Sequence, residues 1–455
     1  ERALLQNIGN TYTFLGQYLQ AIEHYQQALS LVRDQEDHAG EALLLNSLGE
    51  CYDYLGEYDH ALDYYAQAIA AARQAGDRET EATSLANSGF IHDRRGEHAL
   101  ALELYEQALA IRRSLGDQAG EAFVLTFMGS AHSALGQYET ALELFENALV
   151  LRERIGYDAG AANVLVKLAQ TLVDMDRLDA ARGYYEQALV LVRRIEDRDT
   201  EWIILDGLAS LHFKMERYAP ALDYYQKALA IQRELGERSY EAWSLNNIGT
   251  IYDNLGQYAR ALEHYEQALA IWRQIGDIEG EGTTLNNVGK VYHSQGQYTR
   301  ALEVLQRALE LRQRNPAPDP LAEATTLNNI GAVYESLSEY AKALGHYMQA
   351  LDLRRQAGDV GAEGLTLSNI GGVYDSLGQY PKALEYYQQA LGLLRQTSSR
   401  RDVGTTLNNM GLVYDNMGQP EAALEHYEQA LEFRRQAGDL AGEAMTLNNM
   451  AVVYN

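Results

Sequence analysis

The sequence predicts an all-α protein, an α-solenoid of antiparallel helix pairs. A leucine recurs every 40 residues from Leu5 to Leu285 and, after one slip of two residues, from Leu327 to Leu447. Four residues after each leucine stands a glycine or an alanine, as Gly249 stands after Leu245. A fixed period of this length indicates one supersecondary unit stacked on copies of itself. We therefore expect eleven full units and the start of a twelfth, forming a single solenoid over residues 1–455.

Each unit carries two helical patterns, which residues 41–80 illustrate. In the first segment, helix A, apolar and small residues fall at the spacing of one helix face: Leu45, Leu48, Gly49, Tyr52 and Leu55. In the second, helix B, the same spacing relates Ala61, Leu62, Tyr65, Ala68 and Ile69. Gly56 separates the two helices, Gly76 ends helix B, and Asp77 is a suitable N-cap for the next helix A.

Helix B carries alanine at two positions in every full unit, seven residues apart, as at Ala61 and Ala68. Together with the small residue of helix A, these alanines would let neighbouring helix backbones approach closely. A larger side chain there would overpack the interface at a cost of about 1–3 kcal/mol. The pattern predicts tight hairpins in which tyrosines fill the space around small residues.

Composition narrows the possible functions. The formal net charge of −27 opposes binding to nucleic-acid phosphates and to anionic membranes, and it favours a cationic partner. Cys51 is the only cysteine, so an internal disulfide is impossible. Because no apolar run reaches membrane-span length and no signal-like start is present, we expect a cytoplasmic protein. The chain begins inside a helical pattern and stops within a unit, so we expect it to be part of a longer protein.

Two joints depart from the regular unit. Half of the six prolines lie in residues 315–320, so helix B must end before Pro316 and the slip is expected to be a longer loop. Residues 397–401 replace the usual Gly-Asp joint. We expect a solvated loop there, with a modification site as the alternative.

The repeating positions resemble the tetratricopeptide repeat. In one unit they read Leu245, Ile248, Gly249, Tyr252, Ala261, Tyr265 and Ala268. The unit has 40 residues rather than the family's usual 34 and lacks the closing proline, and such lengthened units resemble those of kinesin light chain and Partner-of-Inscuteable-like scaffolds. The resemblance implies a right-handed superhelix with the A helices on the concave side, where peptide-binding grooves of the family carry asparagine ladders.

Asparagines follow the repeating leucine of helix A in the later units. An asparagine inside a helix is less favourable than alanine by roughly 0.6 kcal/mol, and its amide offers both donors and an acceptor. A row of such amides could bind the backbone of an extended peptide. The candidate peptide-binding residues are Asn246, Asn247, Asn286, Asn287, Asn328, Asn329, Asn369, Asn408 and Asn409.

An acid stands seven residues after the first asparagine position and shares its helix face. In the candidate site these acids are Asp253, Glu335, Asp375 and Asp415, which would favour a peptide with basic residues. In the middle units Phe127, Lys167 and Gly207 replace the second asparagine, so we expect a more mixed zone there. The alternatives are that the asparagines hydrogen-bond between neighbouring helices as a structural device, and that the acids are a solvated face.

No catalytic or metal-binding pattern is found, so we expect no enzyme activity and no cofactor. The sequence has no phosphate-binding loop followed by Lys-Ser or Lys-Thr, and no His-x-x-x-His for a metal. Three hypotheses remain for function. The first is a scaffold that holds an extended protein or peptide segment in its concave groove. The second is a ligand-sensing, autoinhibitory arm beside the flanking domains of a bacterial signalling ATPase or a repeat-bearing protease. The third is a self-associating rod.

Overall fold

The computed structural model describes residues 2–397 and 399–454, which form 23 α-helices and no β-strand. The odd-numbered helices are the A helices of the repeat and the even-numbered helices are the B helices. Their bounds are α1 Arg2–Phe14, α2 Tyr18–Asp34, α3 His38–Tyr54, α4 Tyr58–Ala75, α5 Arg78–Arg94, α6 His98–Leu115, α7 Gln118–Ala134, α8 Tyr138–Arg154, α9 Asp158–Asp174, α10 Leu178–Arg194, α11 Arg198–Lys214, α12 Tyr218–Leu235, α13 Arg238–Asn254, α14 Tyr258–Ile275, α15 Ile278–Ser294, α16 Tyr298–Arg314, α17 Pro320–Ser336, α18 Tyr340–Ala357, α19 Val360–Ser376, α20 Tyr380–Leu394, α21 Arg400–Asn416, α22 Pro420–Gln436 and α23 Leu440–Val453. The described residues thus confirm the all-α solenoid of eleven helix pairs and one further A helix.

The predicted joints between helices are confirmed. Gly76 follows α4 in the left-handed conformation with φ of 69°, which glycine adopts without strain. The Asp77 side chain then accepts a hydrogen bond from the backbone N–H of Thr80 and caps α5. In the proline segment, α16 ends at Arg314, before Pro316 as predicted, and α17 begins at Pro320.

Residues of the chain group into two compact units, Glu1–Ile231 and Gln232–Asn455. Within each unit, helix A packs on its own helix B, as α13 does on α14, and helix B packs on the next helix A, as α14 does on α15. The single solenoid over residues 1–455 and its right-handed superhelical path stay predictions. Ser398, in the joint predicted to be a loop, lies outside the described residues.

Small residues form the contact between the two helices of each pair. Both alanine positions of helix B have no exposed surface in any of the eleven pairs, as at Ala261 and Ala268. Opposite them, a Cβ atom on Gly249 would lie only 2.7 Å from Cε1 of Tyr265, whose ring is fully buried. The predicted close approach of helix backbones, with aromatic rings filling the space, is confirmed.

None of the helices in the described part of the chain is both long enough and apolar enough to span a bilayer.

Candidate binding surface

The first asparagine of each pair lies inside the stack of hairpins. Asn246, Asn286 and Asn408 are only 4%, 6% and 2% exposed, and Asn328 is half-buried. In α19 this position holds Ser368, which is also buried. A buried amide must find hydrogen-bond partners within the protein, because leaving it unpaired costs about 1–3 kcal/mol.

The partner is the second asparagine of the next unit, about 40 residues on. Each bond runs from Nδ2 of the second asparagine to Oδ1 of the buried one, and we call it a rung. The rungs of unit Gln232–Asn455 are Asn287 to Asn246 at 3.1 Å, Asn329 to Asn286 at 2.9 Å, Asn369 to Asn328 at 3.0 Å and Asn449 to Asn408 at 3.1 Å. At the first position, the asparagine therefore forms hydrogen bonds between neighbouring helices, which was the alternative to peptide binding. Its amide stabilises adjacent A helices against each other.

The second asparagines keep part of their hydrogen-bonding capacity. Asn287, Asn329 and Asn369 are half-buried, and a rung uses one amide N–H of each. An asparagine amide has one carbonyl oxygen and two N–H donors. No described residue donates a hydrogen bond to the Oδ1 atom of these three side chains. Their carbonyl oxygens can therefore accept a bond from another molecule.

The predicted acids lie beside the rungs as half-buried carboxylates rather than as a fully solvated face. Burial raises the pKa of Asp253, and the Lys290 ammonium opposes that shift. Burial likewise raises the pKa of Glu335, whose Oε2 accepts a hydrogen bond of 2.7 Å from the Tyr347 hydroxyl. Burial also raises the pKa of Asp375. Asp375 accepts a hydrogen bond of 3.4 Å from the side-chain amide of Asn416. The row is acidic, and its carboxylates are partly desolvated.

Asp415 completes this row in α21, where it is half-buried. Asn247 and Asn409 occupy the second position in α13 and α21 and are half-buried too. Asn409 has no described rung, because its neighbour in α19 is Ser368 rather than an asparagine. The structure therefore divides the candidate residues into two groups: first positions, which are buried except for the half-buried Asn328, and second positions and acids, which are half-buried.

In unit Glu1–Ile231 the A helices carry a different set of side chains. A hollow of about 550 Å³ lies among α5, α7, α9 and the start of α11. Two residues of its wall, Phe127 and Lys167, were predicted from the sequence to belong to a mixed zone of the groove. Three others, Phe123, Arg152 and Tyr157, were not predicted to be functional. The one sequence feature that could have indicated this hollow is Tyr157, which stands where most units have the N-capping aspartate.

The described residues contain no cluster of three or more His, Cys, Asp or Glu side chains that could hold a metal ion. The fold and these surfaces define an all-α helical-repeat protein whose repeats present recurring polar side chains.

The chain belongs to the tetratricopeptide repeat family. Family profiles described as tetratricopeptide repeat match residues 1–74, 82–117, 119–194, 199–274, 280–356, 323–396, 362–436 and 402–455. Repeats of this family mediate protein–protein interactions. A comparison with curated proteins found no match.

Solved structures with the same fold include a signal transduction ATPase with numerous domains from Pyrococcus horikoshii, described as having a tetratricopeptide repeat sensor. The two sequences are 15% identical, and the structures match with a TM-score of 0.56. The match covers 74% of this chain and 53% of the ATPase, so this chain spans about half the length of that ATPase. The apo form of RapI is 17% identical, with a TM-score of 0.51. The match covers 61% of this chain and 99% of RapI. A structure described as the nearly identical TPR-like repeats of a putative kinesin light chain from Podosopora anserina is 17% identical with a TM-score of 0.38. The match covers 43% of this chain and 96% of that one.

Proposed function

We propose that the chain is a binding scaffold that holds an extended segment of a partner protein along the A helices of unit Gln232–Asn455. The observation that carries this proposal is the row of second-position asparagines, each with an unused carbonyl oxygen. An extended peptide presents backbone N–H groups at regular intervals, and those groups are the donors that such oxygens accept. Binding of this kind would be largely independent of the partner's side chains.

The rungs support the proposal because they hold the binding groups in place before the partner arrives. Asn287 and Asn329 each spend one N–H on a buried neighbour, which restricts the side chain to one orientation. A side chain that is already ordered loses less conformational entropy on binding. The rungs therefore stabilise the packing of neighbouring hairpins and also pre-organise the side chains that would bind the partner.

The acids supply the selectivity of the proposed surface. Asp253, Glu335 and Asp375 are partly desolvated, and burial disfavours their charged forms. A lysine or arginine of the partner would stabilise those charges. We therefore propose a partner segment with basic residues, in keeping with the net charge of −27.

Two pairs of alanine substitutions separate binding from packing. Asn287→Ala with Asn329→Ala removes two unused carbonyl oxygens together with two rungs. The matched control, Asn246→Ala with Asn286→Ala, breaks the same rungs but leaves the second-position amides in place. The assay is fluorescence anisotropy with the full chain and labelled twelve-residue peptides, rich either in lysine or in glutamate.

We expect tight binding of the lysine-rich peptide only, with about a tenfold loss of affinity in the Asn287/Asn329 variant. The control should lose less affinity, because it keeps both carbonyl oxygens and removes only the bonds that order them. Circular dichroism establishes that both variants stay folded. Equal affinities in the two variants, or equal binding of the two peptides, would contradict the proposal.

The sensor-arm hypothesis remains a second proposal. Its support is the shared fold with the sensor of the Pyrococcus horikoshii ATPase, which concerns architecture alone. A nucleotide-binding or protease motif in the flanking coding sequence would favour it. Self-association as a rod is the third possibility, and concentration-dependent sedimentation tests it.

A further inference from the structure

The hollow in unit Glu1–Ile231 has the size of a small-molecule site. Its volume is about 550 Å³, within the range of roughly 300–1,000 Å³ that ligand pockets occupy. The peptide surface proposed above lies in the other unit, so the two surfaces can be tested separately.

One wall of the hollow is aromatic. The Phe127 ring packs edge-on against Phe123, with centroids 4.6 Å apart, and against Phe90, with centroids 5.3 Å apart. Phe123 remains 44% exposed, so its ring is accessible from the hollow. These three rings form an apolar surface that a planar apolar group would cover.

The hollow is also lined by an arginine that lacks the partners of its counterpart in the preceding unit. In the preceding unit the equivalent residue, Arg112, donates hydrogen bonds to Asp117 at 2.8 Å and to the Thr83 hydroxyl at 2.6 Å. Those two contacts neutralise its charge and occupy both terminal nitrogens of the guanidinium. Forty residues further on, Arg152 occupies the same place in α8.

Both partners of Arg152 have been replaced by aromatic residues. Tyr157 stands in the place of the aspartate, and Phe123 stands in the place of the threonine. The guanidinium lies over the Tyr157 ring, 5.2 Å from its centroid. None of its nitrogens has a hydrogen-bond partner among the described residues, whereas in Arg112 only Nε lacks one. Burial lowers the pKa of Arg152, as expected for a cation without a counter-charge.

A second cation, Lys167, lines the same hollow, and no described carboxylate lies within ion-pair distance of it. The two acids of the wall already have partners within the chain. Asp93 pairs with His98 at 2.6 Å, and Asp197 caps α11 by accepting a bond of 3.0 Å from the Thr200 N–H. The hollow therefore combines satisfied acids with unsatisfied cations, although the whole chain is strongly acidic.

We propose that this hollow binds a small organic acid with an apolar ring, the ring lying on the phenylalanines and the carboxylate pairing with Arg152 and Lys167. A partly buried guanidinium without a counter-ion gains most from an anion that can accept two of its hydrogen bonds. The ring requirement follows from the aromatic wall, and the limit on size follows from the volume of the hollow. This site is independent of the peptide surface.

The probes are 4-fluorophenylacetate and its neutral amide, titrated into the full chain and followed by fluorine NMR. The acid is expected to bind at least about tenfold more tightly than the amide, since a charge-assisted hydrogen bond contributes about 1.5–3 kcal/mol. The Arg152→Gln, Lys167→Gln double variant should bind the acid no better than the amide. Arg154→Gln removes an exposed charge from the same helix outside the hollow, and it should leave binding unchanged.

A second pair of variants tests the missing counter-charge directly. Tyr157→Asp recreates the partner that Arg112 has, while Tyr157→Asn makes the same loss of ring without the charge. Both residues are good N-caps for α9, so both variants should fold. The acid should bind about tenfold more weakly to the Tyr157→Asp variant than to the Tyr157→Asn variant.

Three results would overturn the proposal. The first is equal binding of acid and amide, and the second is unchanged binding of the acid in the double variant. The third is tighter binding of a pentapeptide that carries a phenylalanine beside an internal glutamate, which would make the hollow a peptide subsite instead.

Discussion

Replacing two glycines of the same helix pair by alanine should change stability in opposite directions. Gly331 lies in α17, where an added Cβ would be 2.7 Å from Cε1 and 2.8 Å from Cδ1 of Tyr347. That ring is buried, and its hydroxyl is held by Glu335, so it cannot swing aside freely. Gly345 lies on the exposed side of α18, and apart from the adjoining residues and backbone of its own helix no heavy atom of the described residues would be within 4 Å of its Cβ.

The magnitudes follow from two terms. Alanine is more favourable than glycine inside a helix by about 0.8–1.0 kcal/mol, and this gain applies to both substitutions. Overpacking a filled interface costs about 1–3 kcal/mol and applies only to Gly331→Ala. Gly345→Ala should therefore stabilise the chain by up to about 1 kcal/mol, while Gly331→Ala should destabilise it by as much as about 2 kcal/mol. The helix-propensity terms cancel in the difference, which measures the overpacking.

The assay is urea unfolding followed by circular dichroism, together with amide hydrogen exchange in α17 and α18. Exchange is needed because long repeat arrays can unfold in parts, so a single free energy of unfolding is not always defined. Both glycines belong to one helix pair, so local unfolding affects them alike. If Gly331→Ala proves as stable as Gly345→Ala, the close helix approach inferred from the glycine row is wrong.

Two further predictions concern charge and capping in single helices. Burial raises the pKa of Glu50, so the folded state binds its proton more tightly than the unfolded state does, and ionisation costs stability as pH rises through the folded pKa. Glu50→Gln should therefore stabilise the chain at pH 7. This gain in stability should vanish below the ordinary glutamate pKa of about 4.3. The measurement is the urea midpoint of both proteins at pH 7 and at pH 4. Asp277→Ala removes an N-cap that accepts a 2.8 Å bond from Gly280 and should cost about 1 kcal/mol in urea unfolding, whereas Glu237→Ala, at an N-cap with no such bond, should cost less. Equal losses would contradict the capping assignment.

The sequence predicted most of the architecture because the relevant signals are local and repeated. The helical spacing of apolar residues, the left-handed Gly76 and the capping Asp77 each act within a few residues of chain. The break before Pro316 likewise follows from the geometry of the residue that precedes a proline. Because the same helical spacing and turn residues recur in eleven units, the sequence favours one fold over any alternative.

The site was less predictable, because the relevant contacts join residues of different units. Asn246 and Asn247 are neighbours with similar chemistry in the sequence, yet one is buried and the other half-buried. Which of them faces the next hairpin depends on how the hairpins stack. Tyr157 was visible as an exception to the capping aspartate, but its consequence for Arg152 required knowing that the two positions touch.

The amino-acid pattern alone therefore determined the repeat, its two helices, the alanine contact and the family, since each of these depends on spacing along one chain segment. The packing of one unit on the next determined which asparagine amides form rungs and which carbonyl oxygens stay open. The physical reason is distance. A side chain's partners in a stacked array lie about 40 residues away in sequence, and only the relative orientation of neighbouring hairpins brings them within hydrogen-bonding reach.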